Sequence, residues 1–161
     1  MELLDLALSM EEDLKNFYHR QSEIHEGNSL RIVFQLLERE EEKHAEILRS
    51  YSDRLVLPQE DSDILSTVRS IFRDNDDFKS EIKDNPSQLD VYRMALQKEE
   101  ESKKFYEDLG KKATEQQSKK VFEYLTRQED THCIILEELV KLVNRPEEWV
   151  ESAEFGIRED Y

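Results

Sequence analysis

Residues 7–18 read ALSMEEDLKNFY, and residues 95–106 read ALQKEEESKKFY. The offset between them, 95 − 7 = 88, continues without a gap into the next segments, where VFQLLEREEEKH (33–44) is answered by VFEYLTRQEDTH (121–132). Each half therefore carries a glutamate (Glu11, Glu99), a tyrosine seven residues later (Tyr18, Tyr106) and a Glu-x-x-His pair (Glu41 with His44, Glu129 with His132). One structural unit is written twice, and its polar residues recur with it.

The spacing within each unit is helical. Leu4, Ala7, Glu11, Leu14 and Tyr18 follow one another at alternating steps of three and four, which makes a single stripe on an amphipathic helix. The same stripe reappears as Tyr92, Ala95, Glu99, Ser102, Tyr106 and Leu109. Two further stripes, Leu30, Phe34, Leu37, Glu41, His44, Leu48, Tyr51 and Phe122, Leu125, Glu129, His132, Leu136, Leu139, complete the set. All six polar interruptions are thus expected to face inward. Gly27-Asn28-Ser29 separates the first two helices, with glycine suited to a positive-φ stop and Asn or Ser to a cap. Leu57-Pro58 ends the second helical region, and Asn85-Pro86-Ser87 opens the third, where Ser87 and Asp90 have capping-box spacing; Thr114 and Gln117 repeat that spacing before the fourth. The expected fold is all-α: a four-helix bundle of two hairpins, with helices near 2–26, 29–52, 87–112 and 115–143 in a single domain over 1–161. A crossover over 53–86 contains one short helix at 64–72. A tail over 144–161, carrying Trp149, Phe155 and Ile157, is expected to dock as a short helix starting at Pro146.

Composition agrees with this. The chain has 161 residues, only three glycines and three prolines, enough length for one domain to bury a core without staples. A net charge of −16 argues against nucleic acid, because phosphate binding needs clustered Lys and Arg. A single cysteine, Cys133, excludes an intrachain disulfide and any four-cysteine metal centre, and it is expected to be a buried, inert thiol. No apolar run approaches the roughly 18–20 residues of a membrane span, and the first residues lack the pattern of an export signal. A cytoplasmic protein with no membrane partner is expected. The acidic runs 38–42 and 99–101 are expected to be solvated faces apart from their stripe members.

Glutamates and histidines on a buried stripe are costly, at several kcal/mol per buried ion. Four such carboxylates rival the roughly 5–15 kcal/mol stability of a whole domain. Two divalent cations carry four positive charges against four carboxylates, and two neutral imidazoles complete the coordination. The residues Glu11, Glu41, His44, Glu99, Glu129 and His132 are therefore expected to hold a metal pair, with Glu41 and Glu129 bridging and Glu11 and Glu99 terminal. Mixed carboxylate and imidazole ligation suits iron or manganese.

These residues resemble the ferritin-like superfamily, and the A-x-x-x-E-x-x-x-x-x-F-Y and E-x-x-H motifs resemble its rubrerythrin branch over residues 4–143. The resemblance implies a di-iron centre on the same six ligands, with Tyr18 and Tyr106 as outer tyrosines beside the ligating carboxylates. It implies an oxidoreductase active in oxidative stress, a peroxidase or ferroxidase that reduces hydrogen peroxide or dioxygen as Fe(II) is oxidised. Ferritin-type iron storage and manganese catalase-like dismutation are the alternatives, and a homodimer is implied. Two positions depart from the pattern. Ser102 stands where a seventh carboxylate is common, and one cysteine cannot build a rubredoxin domain, so electrons are expected from a separate protein such as a rubredoxin.

Overall fold

A computed structural model of the chain describes residues 2–51, 57–58 and 60–154, with side chains described only as far as residue 144. Its helices are α1 (Glu2–Ile24), α2 (Leu30–Arg49), α3 (Ile64–Asp74), α4 (Glu81–Asp84), α5 (Ser87–Lys112) and α6 (Gln116–Glu154), with no strand among the described residues. α1 packs along α2, and α5 along α6, so the chain is two antiparallel hairpins forming an all-α, ferritin-like bundle.

The order of residues along each helix explains the layering. Ala7, Glu11 and Leu14 succeed one another up α1, and Leu37, Glu41, His44 and Leu48 run along α2. Leu14 and Leu37 belong to a large apolar cluster that also holds Phe34, Tyr92, Ala95 and Leu136, whereas Ala7 and Leu48 belong to a smaller one with Tyr106 and Leu125. Each long helix thus passes from one apolar cluster, through its polar pair or lone glutamate, into the other. The polar residues form a layer across the middle of the core.

Turn chemistry differs in detail from the sequence expectation. The 25–29 turn closes without a left-handed glycine at Gly27. Asn28 Oδ1 accepts from the Leu30 amide at 3.0 Å, while Ser29 donates its own amide (3.0 Å) and hydroxyl (2.6 Å) to Asp77 in the crossover. Ser87 is already helical and donates to Asn85 Oδ1 instead of closing a capping box with Asp90. Lys111 and Lys112 in the last turn of α5 oppose the helix dipole favourably.

The crossover lies over the larger cluster. Ile64, Val68 and Phe72 of α3 and Phe78 and Ile82 beyond it are all buried there. Arg69 clasps both oxygens of Glu138 on α6 at 3.1 and 2.6 Å. The second crossover helix, α4, has too short a pattern to be read from periodicity. At the other end of the chain, α6 does not stop near 143: it runs through Pro146 to Glu154, so no separate tail helix starts at Pro146. Proline removes one i to i−4 bond, a loss that can kink a helix without ending it. The expected docking of Trp149, Phe155 and Ile157 lies outside the described side chains.

Leu136 is fully buried, so Leu136→Ala is expected to cost about 2–5 kcal/mol in urea unfolding. Leu3→Ala, on an exposed side chain, is expected to stay within about 0.5 kcal/mol.

Candidate metal centre

The six stripe residues arrive from four helices: Glu11 from α1, Glu41 and His44 from α2, Glu99 from α5, Glu129 and His132 from α6. All are at most 1 % exposed. The i, i+3 spacing sets each Glu-x-x-His pair on adjacent turns of one face. His44 Nδ1 lies 3.2 Å from Glu129 Oε1 and 3.5 Å from Glu11 Oε1. His132 Nδ1 lies 2.7 Å from Glu41 Oε1 and 3.1 Å from Glu99 Oε2. The two imidazoles stack, with ring centres 5.5 Å apart and planes inclined by 13°.

Donor atoms of these residues group into two overlapping quartets, Glu11, Glu41, His44, Glu129 and Glu41, Glu99, Glu129, His132, within each of which they lie no more than 4.8 Å apart. Glu41 and Glu129 are common to both. Tyrosines from the opposite hairpin hold the other two carboxylates: Tyr18 donates to Glu99 Oε2 at 2.5 Å, and Tyr106 donates to Glu11 Oε2 at 2.6 Å.

Nine buried side-chain atoms among the described residues have no hydrogen-bond partner, and all nine belong to these six residues. The pattern is specific. Glu11 and Glu99 each leave one oxygen, Oε1, without a partner, their other oxygen being taken by tyrosine. Glu41 and Glu129 leave both oxygens without one. Native interiors rarely leave polar groups in this state, because each carries a desolvation penalty of about 1–3 kcal/mol, more for charges. A cation is the partner that satisfies acceptors on every side at once, so buried Glu and His clusters able to hold metal are what the geometry provides.

The electrostatics agree. Burial, followed by the charges of Glu11, Glu129 and Glu99, pushes Glu41 well above the usual carboxylate range. Burial and the charges of Glu99 and Glu11 raise Glu129 to about 8. Burial, the largest single effect, works against the imidazolium of His44, but Glu11 and Glu129 together outweigh it and raise His44 to about 10; Glu99, Glu41 and Glu40 together likewise raise His132 well above its ordinary value. Glu11, although buried, is held down to about 2 by the charge of His44 and by hydrogen bonds including that of Tyr106. Burial and the neighbouring carboxylates drive the Tyr18 and Tyr106 phenols up, so both remain O–H donors.

A Rubrerythrin family model matches residues 2–140 and 90–157. The chain belongs to the rubrerythrin family. No curated protein and no solved structure matches it. Members of this family are typically oxidoreductases with a di-iron site, and no described helix here is long and apolar enough to cross a membrane.

One residue of the site escapes a sequence reading. Glu40, expected on a solvated face, is buried and forms a third group with His44 and His132. Its Oε1 lies 3.9 Å from His132 Nε2, and its Oε2 accepts from Ser62 Oγ and Lys43 Nζ at 3.3 Å each. Burial would raise its pKa, but bonding to His132 and the imidazolium charges hold it at about 2. An i−1 position beside Glu41 reads as off-stripe; the inward turn of the histidine edges that brings Glu40 into play is a tertiary feature. Ser102, also buried, occupies the position one turn beyond Glu99. Cys133 is buried, and burial together with Glu99 and Glu129 pushes its thiol up to about 12.

Four groups, Glu41, Glu129, His44 and His132, hold protons above their ordinary range in the metal-free pocket. Loading it with a divalent metal pair at pH 7 is therefore expected to release protons, those of Glu129 and His44 among them, read with an indicator dye in weak buffer. Because each raised pKa means protons compete with metal, affinity is expected to rise with pH through about 8, where Glu129 ionises, and to keep rising toward about 10, where His44 does.

Proposed function

We propose that the protein is a non-haem di-iron oxidoreductase that reduces hydrogen peroxide, or more slowly dioxygen, with electrons from Fe(II). The observation that carries this reading is the division of the partnerless atoms. Two carboxylates offer one free oxygen each and suit terminal ligation; two offer both and suit bridging. Glu11 and His44 would then hold one ion, Glu99 and His132 the other, with Glu41 and Glu129 spanning the pair. Iron bound there supplies two one-electron couples between ferrous and ferric states.

The protein's own groups have definite tasks in this reading. Tyr18 and Tyr106 fix the terminal carboxylates by donating to one oxygen, which turns the other toward the pocket. The apolar clusters on both sides exclude water, so charge inside the layer is weakly screened and each ligand is held without reorganisation. Ser102 leaves the set at six ligands. The single cysteine of these 161 residues cannot hold a rubredoxin iron, so in this reading electrons come from a donor outside them, such as a rubredoxin, and a homodimer fits the family resemblance.

Protein purified without added metal is expected to carry about two irons per chain, and its ferrous form to be oxidised faster by stoichiometric peroxide than by oxygen in stopped-flow absorbance. The double variant Glu41→Ala, Glu129→Ala should bind no iron pair; full iron retention in that variant would overturn the ligand assignment. Two manganese ions with catalase activity would instead favour dismutation.

A further inference from the structure

A second buried polar group lies outside the metal pocket, at the end of the bundle that the crossover covers. His25 follows α1, Tyr92 lies near the start of α5, and Glu81 opens α4. Tyr92 donates its hydroxyl to Glu81, with 2.6 and 2.8 Å to the two oxygens, and the same hydroxyl lies 2.9 Å from His25 Nε2. His25 Nδ1 is 2.7 Å from the Gln21 carbonyl, which only accepts, so Nδ1 carries a hydrogen. His25 Nε2 is 2.5 Å from Glu81 Oε1, so ring and carboxylate form one hydrogen-bonded pair. His25 is 2 % exposed and Glu81 13 %, so the group is dry at the phenol and touches solvent at the carboxylate.

A structural staple at this place needs no ionisable groups: beside it Gln88 donates to Gln21 Oε1 at 2.7 Å and ties the same two helices. Tyr92 is also wired to the metal pocket by rings. Its ring centre is 5.9 Å from that of Phe34, which stacks on Tyr18 at 6.2 Å, and Tyr18 donates to Glu99. The other half of the repeat has a matching path, Tyr106 to Phe122 at 6.3 Å and Phe122 to Tyr51 at 5.7 Å. That path ends differently: among the described residues the Tyr51 hydroxyl donates to the hydroxyl of Ser118. One path ends on a phenol bonded to a carboxylate, the other, among the described residues, on a phenol bonded to a hydroxyl.

The geometry points to Tyr92, with Glu81 and His25, as a redox-active tyrosine that supplies an electron to the pocket when peroxide meets a half-reduced iron pair. This rests on the di-iron reading above. Breaking the O–O bond of hydrogen peroxide to two waters takes two electrons and two protons. In the half-reduced case one electron comes from the single Fe(II), which becomes Fe(III), and Tyr92 provides the other by way of Phe34 and Tyr18. Its phenol proton passes to the Glu81–His25 pair, and the two protons for water come from solvent. A one-electron reductant at the bundle end later restores the phenol, which takes its proton back from Glu81. Burial and the Glu81 charge raise the Tyr92 phenol far above its ordinary range, so it does not ionise on its own and electron and proton leave together. Without such a source, the second oxidising equivalent would fall on whichever side chain lies nearest.

The test is rapid-freeze EPR of iron-loaded protein, reduced by one electron per pair and mixed with one equivalent of peroxide. The expected result is loss of the mixed-valence signal and growth of a tyrosyl signal. Tyr92→Phe should lose the tyrosyl signal while the pair is still oxidised, Tyr51→Phe should keep it, and Glu81→Gln should diminish it with Tyr92 in place. A tyrosyl signal unchanged in Tyr92→Phe or in Glu81→Gln, or none in the unaltered protein despite full oxidation of the pair, overturns the relay and leaves the di-iron reading standing. If the triad is only a staple, these variants lower the melting temperature and do not touch the signal. Iron content of the same samples separates the two readings: a chain that binds no iron pair sinks both.

Discussion

Four carboxylates and two imidazoles in one dry layer of a helical core is the condition on which the rest of this protein depends. An isolated chain of that composition would not bury them, since the penalty per ion is several kcal/mol and the whole domain has only about 5–15 kcal/mol to offset it. Protons meet part of the difference in the metal-free pocket, which is why Glu41 and Glu129 are driven up while Glu11 stays ionised against His44. Cations meet it better, because each fills acceptor positions that no proton reaches. The apolar clusters above and below then have two roles. They add apolar burial on both sides of the polar layer, and by lowering the local dielectric they strengthen the attraction between its carboxylates and a cation.

The crossed tyrosines show how the repeat is used. Tyr18 comes from the first hairpin and holds Glu99 of the second; Tyr106 comes from the second and holds Glu11 of the first. Each unit thus supplies the support for its counterpart's lone carboxylate, and neither half contains a finished site. Docking the two hairpins and assembling the pocket are one event. The bidentate pattern of free oxygens, one on each lone glutamate and two on each paired one, follows directly from which carboxylates have a tyrosine.

Much of this was legible in the sequence because the signals were periodic and doubled. The stripes at three and four placed Glu11, Glu41, His44, Glu99, Glu129 and His132 on inward faces, and the 88-residue offset distinguished His44 and His132 from His19 and His25, which lack the Glu three residues before. What was not legible was local or tertiary. α4 has four residues, too few for a period to develop. The run of α6 through Pro146 depends on how the backbone absorbs one missing bond. Glu40 and Ser87 were misread for a common reason: their side chains choose partners in the crossover or its flank, which no helical wheel contains.

Those misreadings locate where the two halves cease to be equivalent. Adding 88 to His25 and Glu40 gives Ala113 and Gln128, and subtracting it from Tyr92 gives Leu4, so three buried polar residues meet a different residue in the other half, apolar for His25 and Tyr92 and a buried, uncharged amide for Glu40. Each of the three is bonded to the crossover: Glu40 to Ser62, His25 and Tyr92 to Glu81. The repeat does not duplicate the crossover, whose buried residues Ile64, Val68, Phe72, Phe78 and Ile82 lie over the larger apolar cluster, while Leu57 packs against the smaller one. A buried polar side chain persists only where a partner is fixed beside it, so the unduplicated segment determines where the two halves can differ. The repeat builds a pocket whose two sides match in their ligands, and the crossover gives the sides different outer partners, a carboxylate behind one histidine and a hydrogen-bonded phenol at the end of one aromatic path. The two overlapping carboxylate and histidine groups able to hold metal are thereby chemically inequivalent in their surroundings, even though their six residues repeat one for one.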